Sequence, residues 1–195
     1  MKDLSAFILA GGKSSRMGRD KAFLELAGQT LLSRALQLAR SVAGQVYIVG
    51  QKEKFAGYGT IVEDIYAERG PLGGIHAALS ASSTELNLLL AVDTPFVTPA
   101  LLEFVIAEAR AGAALVTVPR RGGGFHPLCA VYRRGFAARA REALEAGRNK
   151  VDPLFTPADT RILEEAELAA RGFAVEIFDN LNTRAEWERA QRIHQ

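Results

Sequence analysis

Residues 7–21, with the sequence FILAGGKSSRMGRDK, constrain this chain more than any other stretch. They start as an apolar run and turn at Gly11 and Gly12. The polar loop that follows carries four cations, Lys13, Arg16, Arg19 and Lys21. A buried strand that ends in a glycine loop lets backbone N–H groups approach an anion, because no Cβ stands in the way. The pattern therefore predicts a phosphate site, with a surface turn and solvated charges as the alternative.

Two familiar phosphate-binding motifs do not describe this loop. A P-loop needs Lys and then Ser or Thr directly after its second glycine, whereas Arg19 and Asp20 follow Gly18. The dinucleotide fingerprint G-x-G-x-x-G needs spaced glycines, whereas Gly11 and Gly12 are adjacent. A Rossmann dehydrogenase is therefore disfavoured, also because no acidic residue stands at the ribose position.

The composition is that of an ordinary globular chain, with 195 residues, 48% of them hydrophobic and 24% charged. We expect one domain spanning 1–195. The net charge of +2 gives no strong field for recruiting nucleic acid or a membrane surface. The single cysteine, Cys129, excludes an intrachain disulfide and is typical of a reducing compartment; we expect it to be buried and inert. No run approaches the roughly 20 apolar residues of a membrane span, and the N-terminus does not resemble a signal peptide, so we expect a cytoplasmic protein.

Strand-like and helix-like segments alternate along most of the chain, which predicts an α/β fold with three layers around a mixed, mostly parallel sheet. Strands are expected at residues 6–10, 45–49, 60–62, 86–92, 114–118, 127–132 and 174–178. Helices are expected at residues 31–42, 75–81, 99–110, 135–146, 162–170 and 183–193. Residues 120–124 and 148–156 are expected to form loops.

Polar residues follow the carboxyl ends of several predicted strands. Asp64 follows the third strand, Asp93 follows the most hydrophobic one, and Asp179 and Asn180 follow the last. Ligands of open α/β sheets bind outside these strand ends, so the glycine loop, its cations and the carboxylates should share one edge. This set suits a nucleoside triphosphate with a divalent metal, since Mg²⁺ takes one or two carboxylates together with phosphate and water oxygens.

Asp93 is the predicted Mg²⁺ ligand, because a rigid apolar strand would hold it at the sheet edge and Pro95 turns the chain away. The alternative is an Asx turn for Asp93 and a surface turn for Asp64. Lys21 and Arg16 are the predicted phosphate cations, since nucleotidyl transfer needs positioning and charge neutralisation more than covalent help. Their alternative is a solvated loop face. No histidine is well placed as a general base, which suits a phosphate nucleophile that is already ionised near pH 7.

The chain also matches a known family block by block. The segment LAGGKSSRMGRDKAFLELAGQTLL resembles the N-terminal motif of the molybdenum cofactor guanylyltransferases, which are nucleotidyltransferases with a glycosyltransferase-A type fold. Further matching blocks follow in order, GPLGGIHAAL, AVDTP, HPLCAVYR and FDNLNTRAEW. The resemblance implies a three-layer, Rossmann-like nucleotidyltransferase fold. It also implies transfer of GMP from GTP to molybdenum-loaded molybdopterin, with release of pyrophosphate.

The resemblance further implies a role for each matching position. Lys21, Arg16 and Asp93 would be catalytic, the two cations facing the phosphates and Asp93 holding Mg²⁺, while Asp64 would contact the nucleoside. The remaining nucleotide contacts would come from Leu9, Ala10, Gly11, Gly12 and Gly50. The second substrate would lie near His126, Pro127, Asn180 and Asn182. The implied ligands are GTP, molybdopterin and Mg²⁺, and the implied partners are molybdenum-insertion and molybdoenzyme-maturation proteins in transient contact.

Two departures from the family pattern concern the nucleotide. Relatives often carry one more residue between the RMG and DK parts of the motif, and they tend to place Asn after the second strand, where this chain has Gly50. A cytidylyltransferase acting on the same cofactor is the nearest alternative, although that group usually shows LAAG where Gly12 makes LAGG. Sugar-phosphate nucleotidyltransferases usually carry Pro before the lysine, where this chain has Asp20. A non-catalytic nucleotide-binding protein on the same fold is a further alternative.

Overall fold

A computed structural model describes residues 3–11, 20–66, 68–181 and 186–187. The strands are β1 (Leu4–Leu9), β2 (Glu25–Leu26), β3 (Gln29–Thr30), β4 (Gln45–Val49), β5 (Thr60–Val62), β6 (Leu86–Ala91), β7 (Val116–Arg121), β8 (Gly124–Phe125), β9 (Cys129–Arg133) and β10 (Thr160–Leu163). The helices are α1 (Leu31–Val42), α2 (Lys52–Phe55), α3 (Gly70–Ala81), α4 (Pro99–Ala111), α5 (Phe136–Glu145) and α6 (Glu165–Ala170). Short 3-10 helices span Lys21–Phe23, Asp152–Leu154 and Val175–Phe178.

The main sheet is mixed and mostly parallel, as predicted. Its strand order is β10-β7-β9-β6-β1-β4-β5, and β8 pairs with β7 at the side. Strands β1, β4, β5 and β6 run parallel, β10 runs parallel to β7, and β9 is antiparallel to both of its neighbours. We call the edge formed by the residues that follow β1, β4, β5, β6 and β7 the C-terminal rim.

Two hydrophobic clusters cover the two faces of the sheet and make the fold three-layered. Successive side chains of a strand point to opposite faces, and β1 divides accordingly: Ala6 and Ile8 join the cluster that includes residues of α1 and α4, whereas Phe7 and Leu9 join the one that includes residues of α3 and α5. All six residues of β1 are buried, which explains why five of the six are apolar, with Ser5 as the exception.

Local signals place several elements where they were expected. Helix α1 and strands β4 and β5 have the predicted bounds. Thr30 caps α1 by accepting a hydrogen bond from the Ser33 N–H, and Thr98 caps α4 in the same way through the Leu101 N–H. Among the described residues, no helix has the length and apolar character needed to cross a membrane.

Three predictions about elements were wrong. Residues 162–170 are not one helix, because 160–163 pair with β7 as an edge strand before α6 begins. Residues 174–178 are not a strand: Ile177 and Phe178 are buried while Val175 is 62% exposed, a pattern that a short 3-10 helix satisfies. Residues 120–124 are not a loop, since β7 continues to Arg121 and forms a hairpin with β8.

The hairpin turns at Gly122 and Gly123, whose φ angles of 54° and 77° suit a two-residue turn. Two helices also differ from the expected pattern. Helix α3 begins at Gly70, earlier than predicted, and Pro71 is tolerated in its first turn. Helix α2 was not predicted. The helix expected at 183–193 lies outside the described residues, except for 186–187.

Candidate functional site

The C-terminal rim brings Lys21 and Asp93 together. Lys21 Nζ donates to Asp93 Oδ2 at 3.2 Å, and the two side chains are only 19% and 20% exposed. Asp93 stands two residues beyond the end of β6, and Lys21 opens the 3-10 helix that follows the glycine loop. Asp93 thus bonds to a side chain 72 positions away, a contact that an Asx turn would not require. The predicted phosphate cation and the predicted metal ligand occupy one site.

The glycine side of the rim is built from the ends of β1 and β4. The Ala10 N–H donates to the Val49 carbonyl at 3.0 Å, so the two strands stay paired up to the loop. A Cβ placed on Gly11 would lie 4.0 Å from the Gly50 Cα, so these two glycines are neighbours. The side chains of Leu9 and Ala10 are buried. Leu9 and Ala10 would therefore make their predicted nucleotide contacts through backbone atoms.

Glycine is required at position 50 by a neighbouring ring. A Cβ on Gly50 would lie 2.6 Å from Cε2 of Phe55, a residue of α2 that is 1% exposed. The Gly50 N–H donates to the Val62 carbonyl at 3.0 Å and thereby joins the ends of β4 and β5. An asparagine side chain at position 50 of this chain would therefore collide with the Phe55 ring unless the ring moved.

Asp64 is half-buried behind the start of α3. Its Oδ1 accepts from the Tyr66 N–H at 2.8 Å, and a Cβ on Gly73 would lie 2.7 Å from its Oδ2. Burial raises the pKa of Asp64, and the Tyr66 N–H and the nearby His76 oppose that rise. The bond to the N–H two residues on is that of a turn, the alternative named for Asp64, while its nucleoside contact stays a prediction.

Tyr66 and His76 support Asp64, and neither was singled out from the sequence as functional. The His76 ring meets the Tyr66 ring edge-on, with 5.1 Å between their centroids, and the Tyr66 hydroxyl donates to Glu145 Oε1 at 3.3 Å. His76 is 3% exposed, and its Nδ1 is buried without a hydrogen-bond partner among the described residues. Burial lowers the pKa of His76, with a smaller contribution from Arg141. The position of His76 in a helix of small residues gave no sign of this contact.

The predicted second-substrate side lies next to Asp93. The His126 ring stacks on Phe178 with 4.1 Å between centroids and 15° between planes. Three residues after Phe178, the Leu181 N–H donates to the Asp93 carbonyl at 3.0 Å. Asn180 is exposed on the short segment between these two contacts. The segment from Phe178 to Leu181 therefore contacts His126 at one end and Asp93 at the other.

Two further contacts hold this side in place. Pro127 accepts a hydrogen bond on its carbonyl from the Tyr132 hydroxyl at 2.9 Å. Arg121, from the β7–β8 hairpin, donates to the Ala174 carbonyl at 3.1 Å and anchors the start of the last 3-10 helix. Burial, and secondarily Arg121, lowers the pKa of His126. Arg121 was assigned to a flexible loop from its glycine neighbours, which hid this contact.

Three predicted site residues, Gly12, Arg16 and Asn182, lie outside the described residues, and their roles stay predictions. In the part of the chain that the structure describes, no group of three or more His, Cys, Asp or Glu side chains could hold a metal ion by itself. Cys129 is buried as predicted, and burial raises the pKa of its thiol to about 12, which disfavours the reactive thiolate.

Comparison with known proteins identifies the family. A family model described as the MobA-like NTP transferase domain matches residues 6–161. The chain belongs to the MobA-like NTP transferase family. Membership makes it a nucleotidyltransferase and confirms the resemblance inferred from the sequence blocks. The match to the MobA-like model takes in Lys21, Asp64, Asp93 and His126, while Asn180 lies beyond it.

Relatives resemble the chain over nearly its whole length. A probable molybdenum cofactor guanylyltransferase of Pelotomaculum thermopropionicum is 33% identical, over 98% of this chain and 93% of the relative. The molybdenum cofactor guanylyltransferase of Desulfosudis oleivorans is 32% identical, over 98% and 96%. The solved structure of molybdopterin-guanine dinucleotide biosynthesis protein A from Archaeoglobus fulgidus is 25% identical, with a TM-score of 0.84 and 97% of each chain covered. The predicted fold class is therefore confirmed.

Proposed function

We propose that this chain transfers GMP from GTP to the terminal phosphate of molybdenum-loaded molybdopterin, forming the guanine dinucleotide cofactor and pyrophosphate. The observation that carries the proposal is the Lys21–Asp93 pair, 3.2 Å apart at the C-terminal rim where Gly11 and Gly50 also follow their strands. The names of the relatives, molybdenum cofactor guanylyltransferase, support guanine as the base and the molybdenum cofactor as the acceptor.

The residues of the chain would act by positioning and by neutralising charge. A phosphate oxygen of molybdopterin attacks the α-phosphorus of GTP, a new P–O bond forms, and the bond to pyrophosphate breaks with its electron pair leaving on pyrophosphate. Lys21 would place its ammonium on the phosphates as negative charge moves to the leaving group. The attacking phosphate is ionised near neutral pH, so the step needs no histidine as a base.

The donor set at Asp93 fits Mg²⁺. Its side chain is 20% exposed on the rim, and Mg²⁺ needs only one or two carboxylates where substrate phosphates and water supply the other oxygens. A site that depends on substrate phosphates agrees with the lack of a three-residue cluster among the described residues. Bound there, Mg²⁺ would neutralise charge on the triphosphate and the leaving pyrophosphate.

The acceptor would lie on the side of His126 and Asn180. His126 stacks on Phe178, and the short segment from Phe178 through Asn180 to Leu181 reaches the backbone of Asp93. Pro127, the residue after His126, would lie on the same side of the site. Transient contacts with molybdenum-insertion and molybdoenzyme-maturation proteins, and a cytoplasmic location, stay predictions.

The decisive experiment measures pyrophosphate release from GTP, CTP and ATP in competition, with molybdopterin and Mg²⁺ present. We expect GTP to be preferred. A preference for CTP would replace guanine with cytosine and leave the chemistry intact. Tight GTP binding without pyrophosphate release would instead favour a non-catalytic nucleotide-binding protein.

A further inference from the structure

Helix α2, which the sequence pattern did not predict, holds the far end of the glycine loop. Lys54 forms an ion pair with Asp20, and the two side chains are 26% and 22% exposed. The Phe23 ring packs against Phe55 and Tyr58, with centroids 5.8 and 5.7 Å away. The chain after β4 therefore contacts the loop end through both charge and aromatic packing.

These contacts fall on the two sides of Lys21. Before it, Asp20 Oδ1 accepts from the Ala22 N–H at 3.0 Å and so begins the 3-10 helix. After it, the Leu24 N–H donates to the Lys21 carbonyl at 3.1 Å, and Phe23 packs on α2. The second carboxylate oxygen of Asp20 is the one that pairs with Lys54. The turn at Lys21 therefore sets the direction of the Lys21 side chain, and α2 stabilises this turn through its contacts with Asp20 and Phe23.

We propose that Lys54 is a positioning residue for Lys21, acting through Asp20, in the nucleotidyl transfer described above. Lys54 touches Asp20 rather than Lys21 or Asp93, so it is not itself a catalytic residue. With Lys54 in place, the Asp20 carboxylate is bonded on two sides and keeps the Lys21–Phe23 turn in one orientation. Without it, the carboxylate keeps, among its contacts with described residues, the bond to Ala22, and the Lys21 ammonium is held less firmly at Asp93.

Lys54 is partly shielded from solvent. Its ammonium lies 5.1 Å from the centroid of the Phe55 ring, and burial lowers the pKa of Lys54. A partly desolvated cation of this kind depends on its counter-charge. Gly50 belongs to the same arrangement, because only glycine leaves room for the Phe55 ring at the end of β4.

The test compares Lys54→Ala and Lys54→Arg with Lys52→Ala, a matched control on the exposed side of the same helix. A small displacement of a reacting group has a large effect on rate, so we expect Lys54→Ala to lower the kcat of pyrophosphate release by about tenfold. Lys54→Arg should recover most of that loss, and Lys52→Ala should match the wild type. The KM for molybdopterin should stay unchanged in all three variants.

Hydrogen exchange at the Ala22 amide gives a readout that does not depend on activity. Lys54→Ala should speed this exchange, Asp20→Asn should do the same, and the double variant should add little to either change. If the wild type released no pyrophosphate, the proposed function would fail while this measurement still tested the positioning. Wild-type kcat and wild-type Ala22 exchange in Lys54→Ala would overturn the inference. A lower thermal midpoint with unchanged kcat would also overturn it, since Lys54 would then stabilise the fold only.

Discussion

Lys21 Nζ and Asp93 Oδ2 lie 3.2 Å apart, although 72 positions separate the two residues. The pair joins the end of the glycine loop to the end of β6 at the C-terminal rim. The opposite charges of the two side chains stabilise each other at this distance. A triphosphate with Mg²⁺ offers both groups a replacement partner, so we expect nucleotide and metal to bind together.

Replacement of Asp93 should separate catalysis from binding. In Asp93→Ala we expect turnover to fall on the order of 10²-fold or more, because charge on the departing pyrophosphate loses its stabilisation. GTP affinity should fall much less, since Lys21 and the glycine backbone remain. Pyrophosphate release and GTP titration measure the two effects, with Glu103→Gln on the exposed face of α4 as the control. Near-normal turnover in Asp93→Ala would remove this carboxylate from the metal site.

A methyl group at position 50 should cost stability. The Cβ of Gly50→Ala would lie 2.6 Å from the Phe55 ring, and overpacking of this kind costs about 1–3 kcal/mol. The matched control is Gly59→Ala, whose Cβ would meet Ile48 at an ordinary 3.9 Å. Urea unfolding should show a lower midpoint for the first variant and little change for the second. Recovery in the double variant Gly50→Ala/Phe55→Leu would identify the ring as the cause, and equal midpoints for the two glycine variants would contradict it.

His76 should make the fold sensitive to mild acid. Its pKa is lower in the folded chain than the ordinary value of 6.5, so the unfolded chain takes up the proton first as the pH falls. The free energy of unfolding should therefore decrease between about pH 7.5 and about pH 5.5. His126 acts in the same direction, so the contribution of His76 is the difference between the wild type and His76→Gln. Urea unfolding of both proteins at the two pH values measures this difference. An equal decrease in the free energy of unfolding for the wild type and His76→Gln would refute a buried neutral His76.

The stack between His126 and Phe178 should matter for the second substrate. A stacked pair of this kind is worth about 0.5–1.5 kcal/mol. In Phe178→Ala we therefore expect the KM for molybdopterin to rise by roughly threefold to tenfold, with GTP affinity unchanged. Val175→Ala, at an exposed position of the same 3-10 helix, is the control. An equal change in GTP affinity would place this segment on the nucleotide side instead.

The predicted elements that proved correct depend on local signals. Helix α1 has a capping threonine and an apolar face repeated at helical spacing, and both lie within its own sequence. Strand β10 and the 3-10 helix Val175–Phe178 could not be predicted in this way. Strand β10 forms because Thr160 and its neighbours pair with β7, where Thr160 lies opposite Val116. The 3-10 helix is held in place because Phe178 stacks on His126. These partners are remote in the chain, and periodicity does not report remote partners.

The sequence by itself determined the alternation of elements, the glycine loop after β1 and the polar residues at the strand ends, because backbone conformation and hydrophobic period are local properties. It also determined the family, through blocks in a fixed order. Only the tertiary structure decided that Lys21 bonds to Asp93, that Phe55 requires glycine at position 50, and that Lys54 reaches Asp20. Those contacts depend on which strands lie side by side, and the order of the sheet differs from the order of the chain.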